Sequence, residues 1–215
     1  SHGAQTLYFK YCSTFDSTPK GNIGPVIDAV LEKYNIPYTV ICPSLLANKR
    51  TVKDGILYVD QVPLAESHMK NHPLTPMWES DLVKLMEPQG KYPCFKINYQ
   101  LLEQPEQAKA QIAAYQKEHP HFYLAVDFFQ EDQGPKIMEL FHDLPFLTGG
   151  SGLPAEFAKY MTHGAETALN LSGSQQETAR LMFAGSCSVA TRGQVKNWLE
   201  SGGQGFMVSP SKLAS

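Results

Sequence analysis

Short apolar runs alternate with segments of helical periodicity along most of this chain, and this alternation restricts the fold more than any other feature. Residues 6–11 form an apolar and aromatic run, a polar loop follows, and residues 23–34 have the spacing of an amphipathic helix. Strand-like runs recur at 38–42, 94–97, 122–126 and 145–147, and helix-like segments at 81–86, 106–117, 136–141 and 154–161. The alternation predicts a mostly parallel α/β sheet flanked by helices.

Two stretches depart from the alternation. Residues 56–59 and 61–64 have the pattern of a small β-hairpin, which we expect as an excursion from the main sheet. From 163 to 178 the composition changes to Ser, Gly, Gln, Thr and Asn, which is typical of an exposed linker. A strand at 181–184 and a helix at 192–199 then indicate a second α/β unit. The sequence therefore predicts a first domain at 4–162, a linker at 163–178 and the beginning of a second domain at 179–215.

Composition excludes several classes of function. The chain has 18 Lys and Arg against 21 Asp and Glu, and without a basic run it offers no electrostatic case for nucleic acid. No stretch reaches the roughly 18 apolar residues of a membrane-spanning helix, and no signal-peptide pattern occurs. The cysteines lack the spacing of a zinc site or a disulfide framework. We expect a cytoplasmic protein with no nucleic acid, membrane or metal ligand.

The loop at 10–22, called the 10–22 loop below, is the first candidate site because it follows a strand and precedes a helix. It should lie at the carboxyl edge of the sheet, where α/β proteins bind ligands. Lys10 and Lys20 can pair with a carboxylate, and Asp16 can accept hydrogen bonds from sugar hydroxyls. In the alternative, residues 16–18 only form a turn and cap the following helix. The candidate substrate-binding residues are Lys10, Ser13, Asp16, Ser17, Thr18 and Asn22.

Three further segments have chemistry of interest. Prolines on both sides stiffen the chain around His72 and Thr75, which suits a ligand clamp, although a lone histidine is often structural. The glycines at 149–152 can form a phosphate nest or let a helix pack closely on the sheet, and packing is the stronger alternative. The small residues at 185–188 precede a helix, where backbone N–H groups and hydroxyls can contact phosphate.

Four strings of residues add a specific resemblance. They are KYCSTFDSTPKGNIGP at 10–25, ESHMKNHPLTPM at 66–77, LTGGSGL at 147–153 and GSCSVATRGQV at 185–195. In these strings and in their order the chain resembles the four-carbon acid-sugar kinases, and it is most similar to the branch that acts on 3-oxo-tetronate.

The resemblance implies a substrate-binding N-terminal domain and a nucleotide-binding C-terminal domain, with phosphoryl transfer in the cleft between them. It implies substrate contacts at 16–18 and in the motif of His72 and Thr75, and nucleotide contacts at Ser186 and Ser188. The expected reaction is ATP-dependent phosphorylation of the terminal hydroxyl of a four-carbon acid sugar, usually with Mg²⁺. Relatives also suggest a homodimer.

The chain departs from the family pattern in ways that bear on activity. The family's opening Asp-Asp-Phe-Thr-Gly strand has no counterpart, and its later glycine-rich segments are absent, so we expect a piece lacking the start of the first domain and most of the second. Lys49 and His68 stand where glycine is usual, and Phe128 where a small residue is usual, which should weaken substrate affinity. The alternative function is a non-catalytic truncated relative that binds a small acid or a protein partner.

Overall fold

The computed structural model describes residues 3–72, 74–162, 182–186 and 188–208. The chain divides into two compact units, Ser1–Thr167 and Ala168–Ser215. The predicted linker at 163–178 lies outside the described residues. No helix in the described ranges is both long enough and apolar enough to cross a bilayer.

The regular elements of the described residues follow the predicted alternation. In chain order the strands are β1 (Leu7–Lys10), β2 (Tyr38–Cys42), β3 (Arg50–Lys53), β4 (Ile56–Val59), β5 (Val62–Pro63), β6 (Cys94–Ile97), β7 (Phe122–Val126) and β8 (Phe146–Gly149). The helices of the first unit are α1 (Ile23–Tyr34), α2 (Leu82–Met86), α3 (Tyr99–Leu102), α4 (Pro105–Glu118), α5 (Gln133–Phe141) and α6 (Gly152–Met161). The second unit contributes α7 (Val189–Glu200).

The strands of the first unit form a main sheet and a smaller one. The main sheet has the spatial order β1-β8-β2-β7-β6, and every pair in it is parallel. A separate antiparallel sheet has the order β3-β4-β5. This confirms the predicted mostly parallel sheet with a small excursion. The excursion also includes β3, which the sequence prediction left out because only one of its four side chains is buried.

Apolar side chains cover both faces of the main sheet. Consecutive residues of β7 alternate between two core clusters, as side chains on a strand must. Ile27 of α1 and Leu85 of α2 belong to the first cluster, together with Leu57 of the small sheet. Ile112 of α4 and Ile137 of α5 belong to the second cluster. One face of the sheet is therefore covered by α1, α2 and the small sheet, and the other by α4, α5 and α6.

At the carboxyl edge of the main sheet, neighbouring strands are followed by loops that run to opposite faces. The chain leaves β1 and β2 toward the face covered by α1 and the small sheet, and it leaves β7 and β8 toward the opposite face. Because β8 lies between β1 and β2, adjacent strands send their loops in opposite directions. This arrangement opens ligand-binding crevices in α/β sheets.

The second unit agrees with its sequence prediction only in part. The predicted helix at 192–199 is present within α7, which begins after Ser188. The predicted strand at 181–184 is not found, because residues 182–184 form no strand and Phe183 is 90% exposed. A strand needs a hydrogen-bonded neighbour. The described residues of this unit provide none.

Candidate functional site

The 10–22 loop leaves the carboxyl end of β1 in a constrained conformation. Phe15 and Asp16 have φ angles of 63° and 46°, in the left-handed region that residues with a side chain seldom adopt. Phe15 is only 1% exposed, and its ring packs edge-on against Tyr11 with the centroids 5.6 Å apart. The left-handed conformation costs about 1–2 kcal/mol per residue. The burial of Phe15 in the core offsets this cost and fixes the loop.

The Asp16 carboxylate is half-buried and only partly used by the protein. The Thr14 hydroxyl donates to Asp16 Oδ1 at 2.7 Å, and the Asp16 N–H donates back to the Thr14 carbonyl at 2.7 Å. Within the described residues, Oδ2 of Asp16 receives no hydrogen bond from the protein. Helix α1 begins only at Ile23, after Asn22, and no side chain caps it. The alternative in which Asp16 caps this helix is therefore wrong.

Ser17 points into the protein and holds the loop in place. The residue is only 4% exposed, and its hydroxyl donates to Gln89 Oε1 at 3.1 Å. The Gly24 N–H donates to the same oxygen at 3.1 Å, and the Gln89 amide nitrogen donates to the Leu85 carbonyl at 2.9 Å. Gln89 thus ties the loop and the start of α1 to the end of α2. Gln89 was not predicted from the sequence, because no local pattern indicates its role.

The other candidates of the loop lie nearer to solvent. Lys10 is exposed, and its ammonium donates to the carbonyl of the next residue at 3.2 Å. With the described residues, neither Lys10 nor Lys20 forms an ion pair. The Thr18 hydroxyl accepts from the Lys20 N–H at 3.3 Å. Ser13 is half-buried and Asn22 is exposed.

His72 and Thr75 bind each other. The Thr75 N–H donates to His72 Nδ1 at 3.0 Å, and the Thr75 hydroxyl lies 2.9 Å from the same nitrogen. Because Nδ1 accepts a backbone hydrogen bond, a neutral ring carries its proton on Nε2. Met69 and Met77, on either side of this pair, share a core cluster with Phe15. The pair and the loop therefore belong to the same face of the sheet, and a cavity shared by them stays a prediction.

The glycines after β8 are required by close packing. A Cβ atom at Gly149 would lie 2.3 Å from the carbonyl oxygen of Cys42, and one at Gly150 would lie 2.3 Å from that of Pro43. Any larger residue would push the loop after β8 away from β2. These two glycines therefore serve close packing, but of the end of β8 against the end of β2 and not of a helix against the sheet; a phosphate nest stays a prediction.

Ser186 and Ser188 belong to the second unit. The Ser188 N–H donates to the Ser186 hydroxyl oxygen at 3.2 Å, and Ser186 is exposed. The Ser188 hydroxyl oxygen accepts from the Thr191 N–H at 3.2 Å and caps α7. This end of a helix favours anions. The nucleotide contact stays a prediction, and Cys187 between the two serines lies outside the described residues.

Asp127 organises the carboxyl edge after β7. Its side chain is fully buried and accepts backbone hydrogen bonds from Asp54 at 2.8 Å, Gly55 at 2.9 Å and Tyr99 at 3.0 Å. Burial raises the pKa of this carboxyl above its ordinary value, and the three N–H groups oppose the rise. Asp127 was not among the candidate residues predicted from the sequence. The available signal was an aspartate directly after a wholly apolar strand.

Two of the clefts on the described part of the first unit bear on the candidate site. The larger measures about 530 Å³ and lies beside the small sheet, and the smaller measures about 140 Å³ and lies beside α6. Neither is lined by the 10–22 loop or by His72. In the described ranges, no group of three His, Cys, Asp or Glu side chains is placed to hold a metal ion.

The chain belongs to the family of the sugar-binding N-terminal domain, whose family model matches residues 1–157. Among curated proteins, it is 40% identical over 200 residues to the 3-oxo-tetronate kinase of Pectobacterium atrosepticum, with 92% of this chain and 47% of that protein covered. The resemblance to four-carbon acid-sugar kinases is thereby confirmed. The chain spans about half the length of the curated relatives that it matches.

Solved structures agree with this assignment. A Haemophilus influenzae protein of the DUF1537 family has a TM-score of 0.72 and 38% identity, with 92% of this chain and 48% of that chain covered. A DUF1537 domain from Bordetella bronchiseptica was solved with bound citrate as a domain-swapped dimer. Its TM-score is 0.59 and its identity 26%, with 75% of this chain and 38% of that chain covered.

Proposed function

We propose that this chain is the acid-sugar-binding part of a cytoplasmic, ATP-dependent kinase that phosphorylates the terminal hydroxyl of 3-oxo-tetronate or a similar four-carbon acid. The relatives named 3-oxo-tetronate kinase support the reaction and the substrate class. The citrate bound to the Bordetella protein supports a site for a small carboxylic acid. The observation of this structure that carries the proposal is the fixed 10–22 loop, which holds Asp16 at the carboxyl edge of the main sheet.

The loop residues take complementary roles in this proposal. Lys10 and Lys20 bind the substrate carboxylate, because their ammonium groups form no ion pair with the described residues. Asp16 accepts hydrogen bonds from the sugar hydroxyls through Oδ2, while Thr14 holds Oδ1. The terminal hydroxyl then attacks the γ-phosphorus of ATP, the bond from that phosphorus to ADP breaks, and the hydroxyl proton is released.

The remaining candidates support the same site. Ser13, Thr18 and Asn22 provide further polar groups toward the acid, and Ser17 maintains the loop through Gln89. His72 donates through Nε2–H, with its ring oriented by Thr75. These two also approach the substrate cavity.

The nucleotide is assigned to the second unit. Ser186 and Ser188 contact ATP, which supplies the phosphoryl group, at the N-terminus of the 12-residue helix α7. Mg²⁺ accompanies the phosphates in kinases, and we assign no described residue to it. The domain-swapped Bordetella dimer supports a homodimer.

A second candidate function is a non-catalytic module that binds a small acid or a protein partner. The observation that favours it is the family match, because residues 1–157 correspond to a sugar-binding domain. Binding of a four-carbon acid without phosphoryl transfer is expected of this chain under either candidate, and saturable binding of ATP, which only the kinase requires, separates them.

Calorimetric titration of the chain with D-erythronate, with and without Asp16→Asn, tests the proposed site. Asparagine keeps the side-chain volume and tolerates the left-handed backbone at this position. Loss of a charge-assisted acceptor should weaken binding by about 1–3 kcal/mol, or roughly 5–150-fold. Stability should change by less than about 1 kcal/mol, because Asp16 caps no helix.

The exposed Asp143 at the end of α5 provides the matched control. Asp143→Asn should alter neither the affinity nor the thermal melt. If Asp16→Asn binds D-erythronate as tightly as the unmodified chain does, the 10–22 loop is not the substrate site.

A further inference from the structure

A cationic cleft lies apart from the 10–22 loop. It measures about 530 Å³ and opens between the outer face of the small sheet and the loop after β7. Two of its lining side chains are cationic, three are neutral hydrogen-bonding groups, two are apolar, and none carries a carboxylate. The cationic residues are Lys49 and Lys53, the neutral hydrogen-bonding residues are Thr51, Tyr58 and Gln61, and the apolar residues are Leu46 and Phe129.

The two lysines stand at opposite ends of a short row. Thr51 and Lys53 face away from the core, because Val52 between them is fully buried. Lys49 lies directly before β3, with a left-handed φ of 57°, and lines the same cleft. Tyr58 pairs with Thr51 across the sheet and places a hydroxyl near the middle of the row.

Both ammonium groups can bind an anion at little cost. Lys49 Nζ lies 3.9 Å from Asp60 Oδ1, but the two side chains are 77% and 56% exposed. Such a pair contributes about 0–1 kcal/mol, so a ligand can replace Asp60. Lys53 Nζ lies 5.3 Å from the centroid of the Phe129 ring and forms no ion pair with a described residue. The ring holds this ammonium in the cleft without neutralising it.

We propose that this cleft binds a small linear metabolite with an anionic group at each end. One anionic group pairs with Lys49 and the other with Lys53, and the hydroxyls of Thr51 and Tyr58 bind the polar middle of the ligand. A dicarboxylate and a phosphorylated sugar acid share this chemistry. The proposal goes beyond the kinase function and does not depend on it, because the cleft contains no residue of the 10–22 loop.

Titration of the chain with succinate, 4-phospho-D-erythronate and butyrate tests this site. The experiments are done in the Asp16→Asn background as well, so that binding at the 10–22 loop does not interfere. At least one of the two dianions should bind saturably and at least tenfold more tightly than butyrate. Tighter binding of succinate would indicate a ligand with two carboxylate ends, and tighter binding of 4-phospho-D-erythronate would indicate one carboxylate and one phosphate end. Either result supports the site.

Substitution of the lysines then locates the bound ligand. Lys49→Gln and Lys53→Gln should each weaken dianion binding at least fivefold, whereas Lys117→Gln on the exposed face of α4 should not. Lys49 has a left-handed backbone with φ 57°, and glutamine replaces one residue that has a side chain with another in this conformation. The fold should therefore be unaffected. Circular dichroism melts check this.

The two proposals fail separately. Asp16→Asn should leave succinate binding unchanged, and Lys53→Gln should leave D-erythronate binding unchanged. Absence of saturable binding by both dianions, or equal dianion affinity in the Lys49→Gln/Lys53→Gln double variant, would overturn the proposed cleft.

Discussion

The variant Asp127→Asn tests how firmly the carboxyl edge is held together. In the folded protein, Asp127 Oδ2 accepts from the Asp54 and Tyr99 N–H groups, and Oδ1 accepts from the Gly55 N–H. An asparagine can keep the two bonds at Oδ2 through its carbonyl oxygen. Its amide nitrogen would then face the Gly55 N–H, donor against donor.

The expected cost follows from these bonds. Loss of one buried charge-assisted hydrogen bond costs about 1.5–3 kcal/mol, and the two neutral bonds that remain are weaker by about 0.5 kcal/mol each. Removal of a buried charge, whose pKa burial raises, offsets part of this cost. We expect Asp127→Asn to lower the free energy of unfolding by about 1.5–3 kcal/mol, which corresponds to a fall of about 3–12 °C in Tm.

Urea and thermal denaturation followed by circular dichroism measure the effect. The matched control is Asp54→Asn in the same turn. Asp54 is exposed, and its only hydrogen bond to Asp127 comes from its backbone N–H, although its charge also contributes to the raised pKa of Asp127, as a smaller cause than burial. Its left-handed φ of 52° is one that asparagine tolerates. This control should change stability by less than about 0.5 kcal/mol. An Asp127→Asn variant as stable as the control would show that the three N–H groups do not depend on the carboxylate.

Two further predictions concern pH and turnover. The Glu79 carboxylate accepts from the Asp81 N–H at 2.9 Å and the Ser80 N–H at 2.7 Å, which lower its pKa below the ordinary value. Its stabilisation is therefore present above the unfolded-state pKa of about 4.3 and lost as pH falls through the folded-state pKa. Glu79→Gln should reduce the loss of Tm below pH about 4.5, and an unchanged acid limb would contradict this. The chain alone, which spans about half of its relatives, should not phosphorylate four-carbon acids with ATP; turnover that Asp16→Ala abolishes would refute that expectation.

Much of the fold could be predicted because the apolar periodicity is strong where elements are buried on one or both faces. The bounds of α1, β2, β6 and β7 agree with the sequence prediction, and all five residues of β7 are buried. Helix α5 begins at Gln133, earlier than predicted, and the Gln133 side chain accepts from the N–H groups of Phe129 and Gln130, which ties the preceding turn to the first residue of the helix. No apolar periodicity marks such a turn.

The candidate site could be predicted only as far as local pattern reaches. Its position after β1 follows from the order of elements, and its polar side chains are visible in the sequence. Its supports come from distant residues: Gln89 bonds to Ser17 from 72 positions away, and Asp127 bonds to Asp54 from 73 positions away. Pairings over such distances depend on how the elements pack, which a single sequence does not reveal.

The left-handed pair Phe15 and Asp16 determines the shape of the 10–22 loop before any ligand arrives. Ordering a flexible segment costs about 1–2 kcal/mol per residue, and a ligand normally supplies that energy from its contacts. Here folding has already met the cost, through the burial of Phe15 and the bond between Ser17 and Gln89. The loop is pre-organised, so its affinity for a small acid should reflect contacts made at Asp16 and should decline with any distant change that loosens the packing around Phe15.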